Sequence, residues 1–196
     1  MIPRKLTAGL GLVAIAAAGC ITPPTKLIEQ ATQAQEDAKT VNASRYAPEA
    51  AAAAEAAFQA AETERALQDK KFMPLRNYDV VESKLTEAVA AYGKAKNDAL
   101  QAKSALKGPV RTLMKDANQS VDSVEQLLAK AIARGANVDL TAWQNNVAEL
   151  RQALADATQA QNSDDLVTAK AKLEWAVTRS SELQLTMQEQ LAGRAP

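Results

Sequence analysis

The sequence predicts an all-α protein: an antiparallel helical bundle of two tandem three-helix units, six helices in all, behind an apolar leader. Three observations carry this prediction. From Thr25 onward, apolar residues recur at alternating steps of three and four, the spacing of one helix face. Alanine is the commonest apolar residue and aromatics make up only 4%, so the core is thin and helix axes can approach toward the low end of the usual ~8–10 Å. Turn signals recur about once per helix length, and short connections between amphipathic helices favour antiparallel neighbours.

The leader stands apart from this pattern. Arg4 and Lys5 precede an apolar run over residues 6–18, and Ala17-Ala18-Gly19-Cys20 offers a small-residue cleavage site ending at the only cysteine. The run falls short of the ~20 apolar residues of a membrane span. It resembles a bacterial lipoprotein signal peptide, with Ala17 where such sites most often carry Leu. That resemblance implies removal of residues 1–19, a diacylglyceryl thioether on the Cys20 sulfur and a fatty acid such as palmitate on the new amino group. Ile21 in place of Asp implies, by resemblance to sorting in Gram-negative bacteria, an outer-membrane lipoprotein facing the periplasm. An ordinary secretory signal with a chance cysteine is the competing reading. A lipid on Cys20 accounts for an exported chain with one thiol and no disulfide, and several acyl chains hold where one is marginal.

After the anchor, residues 20–25 form a short spacer in which Pro23 and Pro24 block helix and Thr25 is placed to cap the next element. The four or five residues after Cys20 reach at most about 16 Å, keeping the folded part near the lipid surface. The first helical seam is Leu27, Ala31, Ala34, Ala38 and Val41. The second starts at Tyr46-Ala47-Pro48-Glu49, where Pro48 suits the first helical position and Glu49 complements the helix dipole, and runs through Ala51, Ala54, Phe58 and Ala61. The third reads Val81, Leu85, Ala88, Tyr92, Ala95, Ala99, Ala102 and Leu106. Gly108-Pro109 is then expected to stop or sharply bend the helix.

The second half follows the same plan. Val110, Met114, Ala117, Val121, Val124 and Leu128 form a fourth seam ending near Gly135, a natural residue past a helix C-terminus. Thr141 with Gln144 reads as a capping box for a fifth helix carrying Trp143, Val147, Leu150 and Leu154. Gln161-Asn162-Ser163-Asp164 supplies a turn, and the sixth helix carries Leu166, Ala169, Leu173, Ala176, Leu183 and Met187. Lys84-Leu85-Thr86-Glu87-Ala88-Val89 matches Lys172-Leu173-Glu174-Trp175-Ala176-Val177, which points to a duplication. The expected units are residues 26–107 and 109–191, with a tail at 192–196. Seams that keep a seven-residue step would also serve a coiled-coil homo-oligomer.

Little in the chain is suited to chemistry, so it reads as no enzyme and as needing no cofactor or metal. It has no histidine and no cysteine beyond Cys20, hence no zinc-type ligand set or histidine-based triad. Ser104-Ala105-Leu106-Lys107 matches a Ser-x-x-Lys pattern without its partner motifs. The pair Asp164-Asp165 is explained by helix capping. Removing residues 1–19, which hold two cations and no acid, leaves 177 residues with formal charge −2, giving no broad electrostatic reason to bind nucleic acid.

One segment contrasts with the rest. Lys70, Lys71, Phe72, Met73, Pro74, Leu75 and Arg76 join three cations to three large apolar side chains in an inter-helix connection. Two readings stand: Lys70, Lys71, Phe72, Met73, Leu75 and Arg76 contact a partner or lipid surface, or the apolar residues fold back over the bundle end while the cations stay wet. Trp143 and Trp175 read as core residues from their stripe and repeat positions.

Tyr46-Ala47-Pro48-Glu49, the Ala-rich helix to Leu67 and the helix over residues 79–103 resemble the lipoprotein family catalogued as domain-of-unknown-function 4398. The resemblance implies a helical envelope lipoprotein and assigns no activity. Residues 70–76 replace the compact Gly-Asp-Tyr-like turn frequent in that family, and no peptidoglycan-binding module follows. Together these features lead to the expectation of an outer-membrane-anchored, non-catalytic scaffold or adaptor with an envelope protein as partner. A carrier of lipid or an apolar ligand between helices, and a structural spacer acting by oligomerisation, are the alternatives.

Overall fold

The computed structural model describes residues 22–136 and 138–192; the leader, Cys20 and residues 193–196 lie outside them. The protein is all-α, with no strand among the described residues. Its elements are α1 (Thr25–Thr40), α2 (Ala43–Tyr46), α3 (Pro48–Asp69), a 3₁₀ turn (Met73–Leu75), α4 (Asp79–Ala133), α5 (Leu140–Asn162) and α6 (Leu166–Ala192).

The six helices are not quite the six expected. The third and fourth seams lie on one helix: α4 runs 55 residues through Gly108 and Pro109 without a break, a length of about 82 Å at 1.5 Å per residue. The sixth element is instead α2, one turn entered through Asn42 in the left-handed region at φ 56. The boundary set between residues 107 and 109 therefore falls inside a helix.

Proline is tolerated there because of where it points. Ala105, Gly108 and Pro109 are all exposed, so water can satisfy the Ala105 carbonyl that Pro109 leaves without a donor. Val110 returns to the core at 1% exposure. α6 begins beside Lys103 through the Lys103–Asp164 ion pair and packs along α4 in a shared core that includes Val110, Ala117, Leu166 and Leu173. Helix packing on both sides of Pro109 offsets a local penalty of about 3 kcal/mol.

The result is a rod with three helices at each level and α4 as the common member. At one end α1 runs parallel to α4, as the Gln35–Tyr92 and Asp37–Lys96 contacts show, and α3 packs antiparallel on α4. At the other end α5 descends antiparallel to α4 through Arg151 with Asp122 and Glu125, and α6 rises beside it through Lys172–Asp156 and Arg179–Asn146. The expected seams form the core. Leu85 and Leu173 are both fully buried, as are Ala88 and Ala176, so the matched hexapeptides occupy equivalent inward positions.

Two caps differ from expectation. Asp139, not Thr141, caps α5 by accepting from the Ala142 amide at 3.0 Å. α1 has no side-chain cap, Pro24 preceding it. Pro48 does occupy the first turn of α3.

Candidate membrane-facing tip

Residues 70–76 form the turn between α3 and α4, and their apolar side chains point away from the bundle. Phe72 is 75% exposed, Met73 60% and Leu75 70%, so the fold-back reading of these three residues does not hold. Lys70 and Lys71 are exposed beside them. Fully burying a side chain of this size is worth about 1.5–3 kcal/mol, a gain left unclaimed here three times over.

The turn has defined geometry. The Leu75 amide donates to the Phe72 carbonyl at 2.8 Å and the Arg76 amide to the Met73 carbonyl at 3.2 Å, with Pro74 fixing φ between them. Arg76 turns back: its guanidinium donates to the carbonyls of Lys71 and Asp69, both at 3.0 Å. Of the three expected cations, Arg76 thus staples the turn, while Lys70 and Lys71 remain at its surface.

Below the turn lies a polar neck. Gln68, 6% exposed, donates to Glu64 at 2.8 Å and accepts from the Asn77 amide at 3.2 Å. Tyr78, fully buried, donates to the Asp69 carboxylate at 2.5 Å. That carboxylate, and then burial, hold the Tyr78 phenol protonated above its ordinary range. Gln68 and Tyr78 face inward with their polar groups satisfied, while the three large apolar side chains of the turn face outward, the inverse of an ordinary loop.

The location adds to the chemistry. Tyr78, Val81 and Leu85 at the foot of α4 pack with Ala31, Ala61, Leu27 and Ile28. The start of α1 and the tip therefore share one end of the rod. Cys20 lies outside the described residues; residues 22–24, which precede α1, lead into this end.

A second cluster joins the two halves of the rod. Tyr46, 8% exposed, accepts from the Leu166 amide and donates to the Asp164 carbonyl, both at 2.9 Å. The Lys103 ammonium lies 5.6 Å from the Tyr46 ring centroid and pairs with Asp164, while Arg45 pairs with Asp165 at 2.9 Å. Asp165 caps α6 through the Thr168 amide. The Asp164-Asp165 pair is thus committed to capping and to the junction. Sequence reasoning missed this cluster, although a lone tyrosine in an alanine-rich stretch was the available signal.

Trp143 is buried as expected, but Trp175 is 45% exposed. It lines a groove of about 550 Å³ between α5 and α6 with Glu149, Gln152, Asp156 and Lys172. A smaller groove of about 380 Å³ lies between α1 and α3 above Tyr92. Among the described residues no helix is long and apolar enough to cross a membrane, and no three Cys, Asp or Glu gather as a metal site. No protein family, curated sequence or solved structure matches this chain.

Proposed function

We propose that this chain is an outer-membrane lipoprotein, anchored through acylated Cys20 and facing the periplasm, that acts as a non-catalytic scaffold or adaptor of the cell envelope. The observation that carries the reading is geometric. α1, the first described helix after Cys20, starts at one end of the rod, and α4 continues as one 55-residue helix away from it, which suits a platform held off a membrane. The lipoprotein-like leader and the Tyr46-Ala47-Pro48-Glu49 resemblance support the same address. The exposed α5–α6 face around Trp175 is the docking surface farther from the anchor. Both grooves are lined largely by exposed or half-exposed residues, which supports adaptor over carrier.

Intact-mass analysis of the protein from a Gram-negative host tests the anchor. Loss of residues 1–19 with a gain of acyl mass supports it; an unmodified chain in the soluble periplasm defeats it. In-cell photo-crosslinking from Trp175 tests the scaffold role. One envelope protein captured repeatedly supports it, whereas lipid adducts alone favour the carrier.

A further inference from the structure

We propose that the tip enters the same phospholipid leaflet that holds the lipid anchor, giving the rod a second membrane contact. Phe72, Met73 and Leu75 lie at the boundary between headgroups and acyl chains, and Lys70 and Lys71 meet lipid phosphates. The inference rests on the anchored-lipoprotein reading and adds how the molecule meets its membrane.

Three observations converge. The first is position: Leu27 and Ile28, in the first turns of α1, pack against the foot of α4 immediately below the tip. An acylated Cys20 five residues before Thr25 is within about 16 Å of the start of α1, so the leaflet is necessarily close to this end. The second is construction. The neck bonds of Gln68, Asp69, Arg76 and Tyr78 hold the turn in one shape, so the apolar side chains are presented ready-ordered and lose little freedom on insertion. The third is charge. Lys70 and Lys71 are exposed next to the apolar triad, while Asp69, the nearest acid in the chain, is engaged by the Tyr78 hydroxyl. Apolar groups flanked by lysine are the chemistry of an interface between water and anionic lipid.

A partner protein would also cover an apolar tip, but the end of the rod that carries the anchor is the end least accessible to one. A single tethered point leaves a rod free to tilt. A second contact beside it restricts that tilt.

The test uses the full-length acylated protein carrying Phe72→Cys, labelled with nitrobenzoxadiazole, in phosphatidylethanolamine–phosphatidylglycerol vesicles doped with a doxyl-lipid quencher. Ile132→Cys is the matched control, because Ile132 is also apolar and exposed but lies in the last turn of α4. Intact mass reports acylation of Cys20 separately, and circular dichroism reports helix content. The expected result is a blue-shifted, quenched dye at position 72 and a water-like dye at 132, with the shift lost when Met73→Ser and Leu75→Ser are added. A water-like dye at both positions on an acylated, helical chain overturns the tip contact and leaves the anchor intact. A chain lacking the acyl mass overturns the anchor reading, and with it the shared leaflet, whatever the dye reports.

Discussion

The Leu166 backbone amide donates to the Tyr46 hydroxyl at 2.9 Å, closing a contact between residues 120 apart in sequence. The same hydroxyl donates to the Asp164 carbonyl. One side chain therefore satisfies the first turn of α6 and the last residue of the turn before it. Tyr46→Phe keeps the ring but leaves a buried amide unpaired, at a cost of about 1–3 kcal/mol. Thermal melting by circular dichroism is expected to show a clear fall in Tm. An unchanged Tm would mean that water replaces the lost partner.

Ser180 sits in the α6 seam between Ala176 and Leu183 at 1% exposure, and its hydroxyl has no hydrogen-bond partner among the described residues. A buried unpaired hydroxyl is costly, and alanine is the better helix former. Ser180→Ala is expected to raise stability by about 1 kcal/mol in denaturant titration.

Two glycines separate two opposite effects. Gly93 lies inside α4, and an added Cβ there meets nothing within 4 Å. Gly93→Ala is expected to stabilise by up to about 1 kcal/mol. Gly135 follows α4 at φ +61, so Gly135→Ala meets open space yet is expected to destabilise by about 1–2 kcal/mol. Denaturant midpoints of the two variants read the sign directly.

Glu55 links stability to pH. It accepts from the Tyr92 hydroxyl at 2.7 Å and from Gln35 at 3.0 Å, and these bonds hold its carboxyl below the ordinary range. Asp37 and Asp156 are lowered too, chiefly by hydrogen bonds from Lys96 and Lys172. In acid the unfolded chain binds more protons than the folded one, so this stabilisation is full above the ordinary carboxylate range and is lost as pH falls through the lowered folded values. Tm is expected to drop between about pH 5 and 3. Tyr92→Phe is expected to make that drop smaller while lowering Tm at neutral pH.

The tip and its neck are expected to respond differently to mutation. Phe72→Ser, Met73→Ser and Leu75→Ser remove exposed groups and are each expected to stay within about 0.5 kcal/mol of the parent. Gln68→Ala strips the neck and leaves the Asn77 amide and Glu64 without their partner, costing about 1–3 kcal/mol. Melting curves that reversed this order would place the triad in the core.

Much of the bundle was legible because it rests on local periodicity. Pro48 marks the start of α3, and seam residues such as Leu85, Leu150 and Leu173 are buried as their spacing requires. Gly108-Pro109 was misread because local propensity ignores the direction a residue faces and the helix packed across it. Trp175 was misread from its repeat position: its repeat partner is Glu87, and both are exposed outside the seam. The composition of the tip was visible from sequence, but its outward orientation depends on bonds from Gln68, Arg76 and Tyr78 that no spacing rule predicts. The Tyr46 junction joins distant parts of the chain, beyond the reach of any local pattern.

Because α4 has no joint at Pro109, the rod would act as a lever arm under the proposed anchoring, with its fulcrum at the foot. A tilt of about 10° at the foot sweeps the far end of an ~82 Å helix through about 14 Å. On that proposal, a small change in how the foot is seated, through lipid charge or local curvature, would become a displacement of molecular size at the α4–α5 turn. Inserting a flexible Gly-Ser segment at residues 108–109 would uncouple the two ends, leaving the foot seated while the far end loses its bearing.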